Sequence, residues 1–254
     1  MALNRRILHE IKDSISNNIN PTALMLKLGS AYGICRPEID AHTLDIHKAR
    51  EFISLRPQRR DDFVSIADLS IYTRIHLEAI KYLSQHCFDF ILLGLQELDM
   101  DVAECLGMWA SSPSLIFEEL LELNTDNAKS LVKNNSSLTF KKLKDLSVII
   151  ANELALTENS LHFNLPFLSA EIASSLARHN DQISICSDIE PTFEAAIELS
   201  KYRGHQITIY KIKNYPSKTL IAGLSSNPEK YLTIQKHPYP GNFHYVTLNT
   251  IGLY

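Results

Sequence analysis

The sequence predicts an α/β fold: a right-handed solenoid of strand–turn–helix units sharing one parallel sheet, with a helical N-terminal cap and a C-terminal β-hairpin cap. Three observations predict it. Between residues 115 and 160 one pattern occurs twice. Leu115, Phe117, Leu120, Leu123, Ala128 and Leu131 are matched 23 residues later by Leu138, Phe140, Leu143, Leu146, Ala151 and Leu154. A fixed period of this length marks an array whose units cannot bury their apolar faces alone. Second, the pattern continues in both directions. Third, a helix-capping residue stands ahead of the helical half of unit after unit.

Upstream, Phe90, Leu92, Leu95, Leu98, Ala103 and Leu106 fit the same offsets. Before them Val64, Ile66, Leu69, Tyr72, Leu77 and Ile80 also fit, and a competing register beginning at Ala67 fits nearly as well. Downstream, Leu161, Phe163, Leu168, Ala173 and Leu176 fit after a one-residue deletion. Ile183, Ile185, Ala196 and Leu199 follow, then Ile207, Ile209, Ile212, Tyr215, Leu220 and Gly223. Leu232 and Ile234 begin a last unit, so starts fall at 64, 90, 115, 138, 161, 183, 207 and 232.

Within a unit the first two apolar positions flank one variable residue, which is strand alternation. Asp99, Asn124, Ser147, Ser169, Thr192 and Ser217 then stand where a side chain can accept from the free amides of a first helical turn. The Ala and Leu positions that follow share one helix face, and Ala lets the helix approach the sheet closely. Gly, Asn, Ser or Pro closes each helix.

The ends depart from the pattern. Leu3, Ile7, Ile11 and Ile15 recur at helical spacing, 23–34 is apolar, and 47–55 reads as a further helix ended before Pro57. Residues 1–62 are expected to cap the array, because solenoids cover their terminal apolar layers with atypical units; the alternative is a small separate helical module. Residues 63–231 form the array. In 232–254, Pro238, Pro240 and Gly241 forbid a helix, and Phe243, Tyr245 and Thr247 alternate with His244, Val246 and Leu248. A hairpin covering the last sheet edge is expected.

Composition sets outer bounds. Of 254 residues, 45% are apolar and 21% charged, and the net charge of −4 implies no polyelectrolyte partner. No apolar run reaches the roughly 18 to 20 residues that cross a bilayer. The first residues carry no signal-peptide core, so a cytoplasmic protein is expected, with secretion into a host cell by a signal-less route as the alternative. Cys35, Cys87, Cys105 and Cys186 form no CxxC pair.

The LxLxxLxxLxxxxAxxL pattern resembles leucine-rich repeats, closest to bacterial variants with an internal helical Ala, over roughly residues 63–237. One departure is clear. The column that holds Asn in the usual repeat reads Leu69, Leu95, Leu120, Leu143, Pro166, Asp188, Ile212 and His237, so the turns must be held by apolar packing. The resemblance implies a protein-binding scaffold whose concave sheet face meets a partner, and it transfers no catalytic residue.

On that face one column reads Ile91, Ile116, Thr139, His162, Ser184, Thr208, Thr233, and another Leu93, Glu118, Lys141, Asn164, Cys186, Tyr210, Gln235. Glu118, Lys141, His162, Asn164, Tyr210 and Gln235 are the candidate partner-binding residues. The plainer reading is a solvated sheet with Glu118 and Lys141 paired across adjacent units. Ile91, Ile116 and Leu93 form an apolar end, which is either a binding patch or the surface beneath the N-terminal cap. Charge is segregated: residues 90–122 carry seven acids and no base, and residues 201–236 seven bases against Glu229.

The function expected is therefore a non-enzymatic protein–protein interaction scaffold: a bacterial effector, an adaptor or an immunity-type protein. Two alternatives stand beside it. One is an enzyme whose site lies in the N-terminal region, where His42, His47, Cys35, Glu38 and Asp45 lie close in sequence at spacings that match no zinc motif. The other is nucleic-acid binding through the basic C-terminal units and their tyrosines. No phosphate loop, HExxH or GxSxG is present. No catalytic residue, metal, cofactor or small-molecule substrate is therefore expected. Cys105 reads as a core or near-core thiol, Trp109 as packed under a turn, and His76, His86 and His179 as surface residues.

Overall fold

Side-chain alternation decides which face each strand buries, and the caps decide where each helix starts. The computed structural model describes residues 42–55 and 66–250, apart from 110, 112, 134, 135, 188, 214, 215 and 237–242. The chain divides into two compact units, residues 1–43 and 44–254, and every described helix lies in the second. The helices expected at 3–15 and 23–34 lie outside the described residues.

Helix α1 (Ile46–Ser54) is capped by Asp45, whose carboxylate accepts from the Lys48 amide at 2.9 Å. Strands and helices then alternate: β1 (Ile66–Leu69), α2 (Leu77–Leu83), β2 (Phe90–Leu93), α3 (Met100–Gly107), β3 (Ser114–Phe117), α4 (Thr125–Leu131) and β4 (Leu138–Phe140). They continue through α5 (Val148–Leu154), β5 (Leu161–Asn164), α6 (Ala170–Leu176), β6 (Gln182–Cys186), α7 (Phe193–Ser200), β7 (Gln206–Lys213) and α8 (Lys218–Leu224). The hairpin strands β8 (Lys230–Lys236) and β9 (Phe243–Thr250) end the described chain.

These nine strands form one sheet in the order β8-β9-β7-β6-β5-β4-β3-β2-β1, and two two-residue strands, Thr43–Leu44 and Arg74–Ile75, stand outside it. From β1 to β7 every neighbouring pair is parallel. The fold is thus α/β with a mostly parallel sheet, in which each strand from β1 to β6 is followed by a helix and then by its own neighbour.

Five of the six expected caps close as the side-chain chemistry requires. Asn124, Ser147, Ser169, Thr192 and Ser217 accept from the amides of Asn127, Ile150, Ile172, Ala195 and Leu220. Each such bond is worth about 1 kcal/mol. Asp99 stands at the start of α3 but makes no side-chain cap bond.

Behind the sheet, Leu115, Phe117, Leu138, Phe140, Leu161, Phe163, Ile183 and Ile185 join the helical leucines in one apolar cluster. Ala103, Ala128, Ala151, Ala173 and Ala196 are all fully buried between helix and strand. In α8 the slot holds Gly223, where an added Cβ would come within 2.6 Å of the Ala196 Cβ. Phe117, Phe140 and Phe163 stack along this core with centroids 5.2 and 5.8 Å apart, each contact adding about 1 kcal/mol.

Two registers differ from the expectation. At β2 the residues paired with Leu115 and Phe117 are Ile91 and Leu93, not Phe90 and Leu92. Ile91 and Leu93 are fully buried, so they belong to the core and not to the exposed face. The strand can slide by one residue because either phase, Phe90 with Leu92 or Ile91 with Leu93, offers two apolar side chains to the core slots. A turn one residue shorter then restores Leu95, Leu98, Ala103 and Leu106 to buried positions. At β1 the register from Ala67 holds: Ala67 pairs with Ile91, and Ala67, Leu69, Tyr72, Ile75, Ile80 and Leu83 are all buried.

At the far end the expected hairpin forms, but with its strands in the other order. β9, the returning strand, lies antiparallel between β7 and β8. Leu232 and Ile234 are therefore not a further parallel rung beside β7. Antiparallel pairing is slightly more stable per residue than parallel pairing, and β9 gains it on both edges.

Candidate functional site

A parallel sheet normally buries both faces under helices. Here the buried side chains of the helices join the cluster behind the sheet. From β1 to β6 the opposite face carries residues that remain partly or fully exposed, whereas Thr208 on β7 is buried. Register gives the columns on it. One runs Asp68, Leu92, Ile116, Thr139, His162, Ser184 and Thr208. Ile66, Phe90, Ser114 and, further on, Gln182 and Gln206 stand one step earlier along the strands.

The face is graded. At the β1–β3 end Ile66 is 55% and Phe90 37% exposed, with Leu92 and Ile116 half-buried beside them. These four, and not Ile91 and Leu93, make the apolar end. From β4 to β7 the side chains are hydroxyls, an imidazole and amides.

Glu118 and Lys141 follow β3 and β4, Asn164 ends β5, and Tyr210 lies within β7. The Glu118 amide donates to the Leu93 carbonyl at 2.8 Å, and the Lys141 amide to the Phe117 carbonyl at 3.0 Å, so backbone bonds between neighbouring units place both. The Lys141 ammonium then donates to the Glu118 carboxylate at 2.7 Å. Asn164 pairs with Cys186 and Cys186 with Tyr210 along the sheet, and Tyr210 is 37% exposed.

His162 is half-buried in β5 between Thr139 and Ser184. Burial pushes its imidazole below the usual histidine value, which favours the neutral ring, a donor at one nitrogen and an acceptor at the other. Gln235 is separated from this group. It pairs with Tyr245 on β9, and β9 stands between β8 and Tyr210.

Sequence columns alone missed a neighbouring groove. At the carboxyl ends of β4–β6, Lys141, Lys142, Lys144, Asn164, Pro166 and Cys186 line an open concavity of about 350 Å³ over Leu143 and Leu165. Leu121 completes the rim. Lys142 donates to both Glu119 carboxylate oxygens at 2.8 and 2.6 Å. The signal was present in the sequence: Glu118 and Glu119 precede Lys141 and Lys142 by the 23-residue period.

His179 is corrected as well. It is not a surface residue but fully buried, its Nδ1 lying 3.4 Å from the Ala155 carbonyl oxygen. Cys105 is half-buried beside Ser84, and Trp109 is buried under the turn after α3 with its indole N–H directed at the His86 carbonyl at 3.4 Å. His76 is exposed and His86 half-buried.

Asp45 is committed to its helix cap, and Cys35 and Glu38 lie outside the described residues. Among the described residues no group of three or more His, Cys, Asp or Glu side chains is arranged to hold a metal ion. No helix among them is long and apolar enough to cross a membrane. Compared with protein-family models and with curated proteins, the chain matches none.

Proposed function

We propose that this chain is a right-handed solenoid of leucine-rich-repeat-like units, capped at both ends, and that it is a non-enzymatic scaffold holding a protein partner on the exposed sheet face. The observation that carries this reading is the exposure of apolar side chains on the sheet face. Among the described residues, helices pack behind one side of the parallel sheet, and on its other side apolar groups such as Phe90 and Ile66 are exposed, where a partner surface would bury them. His162, Asn164 and Tyr210 supply donors and acceptors beyond that apolar end, and the Lys141–Glu118 pair a charged rim. The setting that suits such a scaffold is the cytoplasm, of its own cell or of a host reached by a signal-less route.

Affinity capture from native lysate, or from host lysate, tests it. A captured protein that is retained by the parent chain and lost from Phe90→Ser/Tyr210→Ala is the expected result. Capture unchanged by that pair of substitutions moves the partner off the sheet face.

A further inference from the structure

We propose that the lysine groove at the carboxyl ends of β4–β6 receives a short carboxylate-rich segment of the protein partner, an inference that rests on the scaffold reading above. Three lysines within four consecutive positions, Lys141, Lys142 and Lys144, line one concavity, and no acid is among its lining residues. Lys144 carries no ion pair among the described residues. Lys141 and Lys142 do, but those pairs are on the surface, their side chains 47% and 53% exposed. Exposed pairs of this kind are weak and easily exchanged, so an incoming carboxylate can take over from Glu118 or Glu119.

The groove floor points to a peptide. Leu143 and Leu165 are buried beneath it, so aliphatic stems fit under a row of carboxylates, and the half-buried Asn164 offers an amide to a backbone. The surroundings set the length. Glu118, Glu119 and Glu122 lie toward β3, where a longer polyanion would run into like charge. Two or three consecutive acids satisfy the lysines before that boundary; a nucleic-acid backbone extends past it.

The test is fluorescence anisotropy with a labelled oligoglutamate peptide, an oligoglutamine peptide of the same length and a single-stranded oligonucleotide. The parent chain is expected to bind oligoglutamate at low salt and to lose most of that binding at ~0.3 M salt. It is expected to bind the other two probes more weakly. Lys141→Gln/Lys142→Gln/Lys144→Gln is expected to weaken the oligoglutamate complex by about tenfold or more while melting as the parent does. The proposal is overturned if the triple variant binds as the parent does, if oligoglutamine binds equally well, or if the oligonucleotide binds more tightly. Failure of the wider face and failure of the groove remain distinguishable. Phe90→Ser/Tyr210→Ala leaves the groove lysines in place, and the triple variant leaves the apolar end in place.

Discussion

Each unit crosses the molecule twice, and its two turns treat polar groups in opposite ways. Where the strands end, the turns are lined by Glu118, Glu119, Lys141, Lys142 and Lys144, all in contact with water. Where four of the helices end, the third residue past the last helical leucine is buried. Trp109, Thr157, His179 and Tyr202 occupy this position and are 2, 3, 0 and 2% exposed. Their amides donate to the carbonyls of Leu106, Leu154, Leu176 and Leu199. Several of their side chains also reach back one unit. The Trp109 indole donates toward the His86 carbonyl, and Asn227, in the same position after α8, donates to the Ser200 carbonyl at 2.9 Å. His179 meets the Ala155 carbonyl in the same manner. The helix-exit side thus ties unit to unit through buried groups, while the strand-exit side, closed by leucines, keeps its charged side chains, and the pairs they form between units, in water.

The largest break in this contrast comes from the helix face that both sides share. Ala151 is fully buried between α5 and the sheet. Ala151→Arg places an unpaired charge where neither turn can supply a partner, costing about 4 kcal/mol or more. The expected outcome is loss of the cooperative melting transition in circular dichroism. A soluble variant that melts as the parent does would show that the 23-residue register is misplaced at this helix.

A smaller effect separates the two turn types by pH. Burial pushes the His179 imidazole below its usual value, against partial compensation from the Ala155 carbonyl and from Asp181. The unfolded chain therefore takes up the proton first. Stability contributed by neutral His179 is complete above the ordinary histidine value near 6.5 and is lost as pH falls below it toward the lower folded value. His162 is shifted in the same direction by burial in the sheet, so it adds to the slope. The melting temperature should fall between pH 7.5 and 5.5, and His179→Gln, which keeps a donor but cannot be charged, should flatten part of that fall. An unchanged slope in His179→Gln would remove His179 from the account, whereas His162→Gln measures the sheet's share.

How much of this could be read in advance follows from the same contrast. The apolar columns announce themselves at fixed spacing, so the α/β class, the parallel pairing from β3 to β6 and five helix caps were legible. The helix-exit column was not, because Trp, Thr, His, Tyr and Asn share no hydropathy; only their common place after a helical leucine joins them. That is why His179 reads as a surface residue in sequence. The slip at β2 was hidden for the opposite reason, since Phe90, Ile91, Leu92 and Leu93 are all apolar and either phase fills the core. Gln235 was misplaced because strand alternation says nothing about which strand of a hairpin meets the sheet. On the binding side, Glu118 and Lys141 were visible one period apart, while the groove needed Lys142, Lys144 and the buried floor of Leu143 and Leu165 brought together by the fold.

The smallest effect tests whether the strand-exit charges are as loosely held as the contrast requires. Lys142 and Glu119 form a close pair, yet their side chains are 53% and 39% exposed. Water screens the attraction, and ordering two long side chains offsets part of what remains, so the coupling should be about 0.5 kcal/mol or less. A double-mutant cycle with Lys142→Ala and Glu119→Ala, read by denaturant melts, measures it. A coupling above ~1 kcal/mol would mean that these charges tie units together as the helix-exit side chains do. They would then be costly to exchange for a partner's carboxylates. A coupling near zero leaves the Lys142 ammonium available at almost no loss to the fold, because the leucines beneath it already hold the turn.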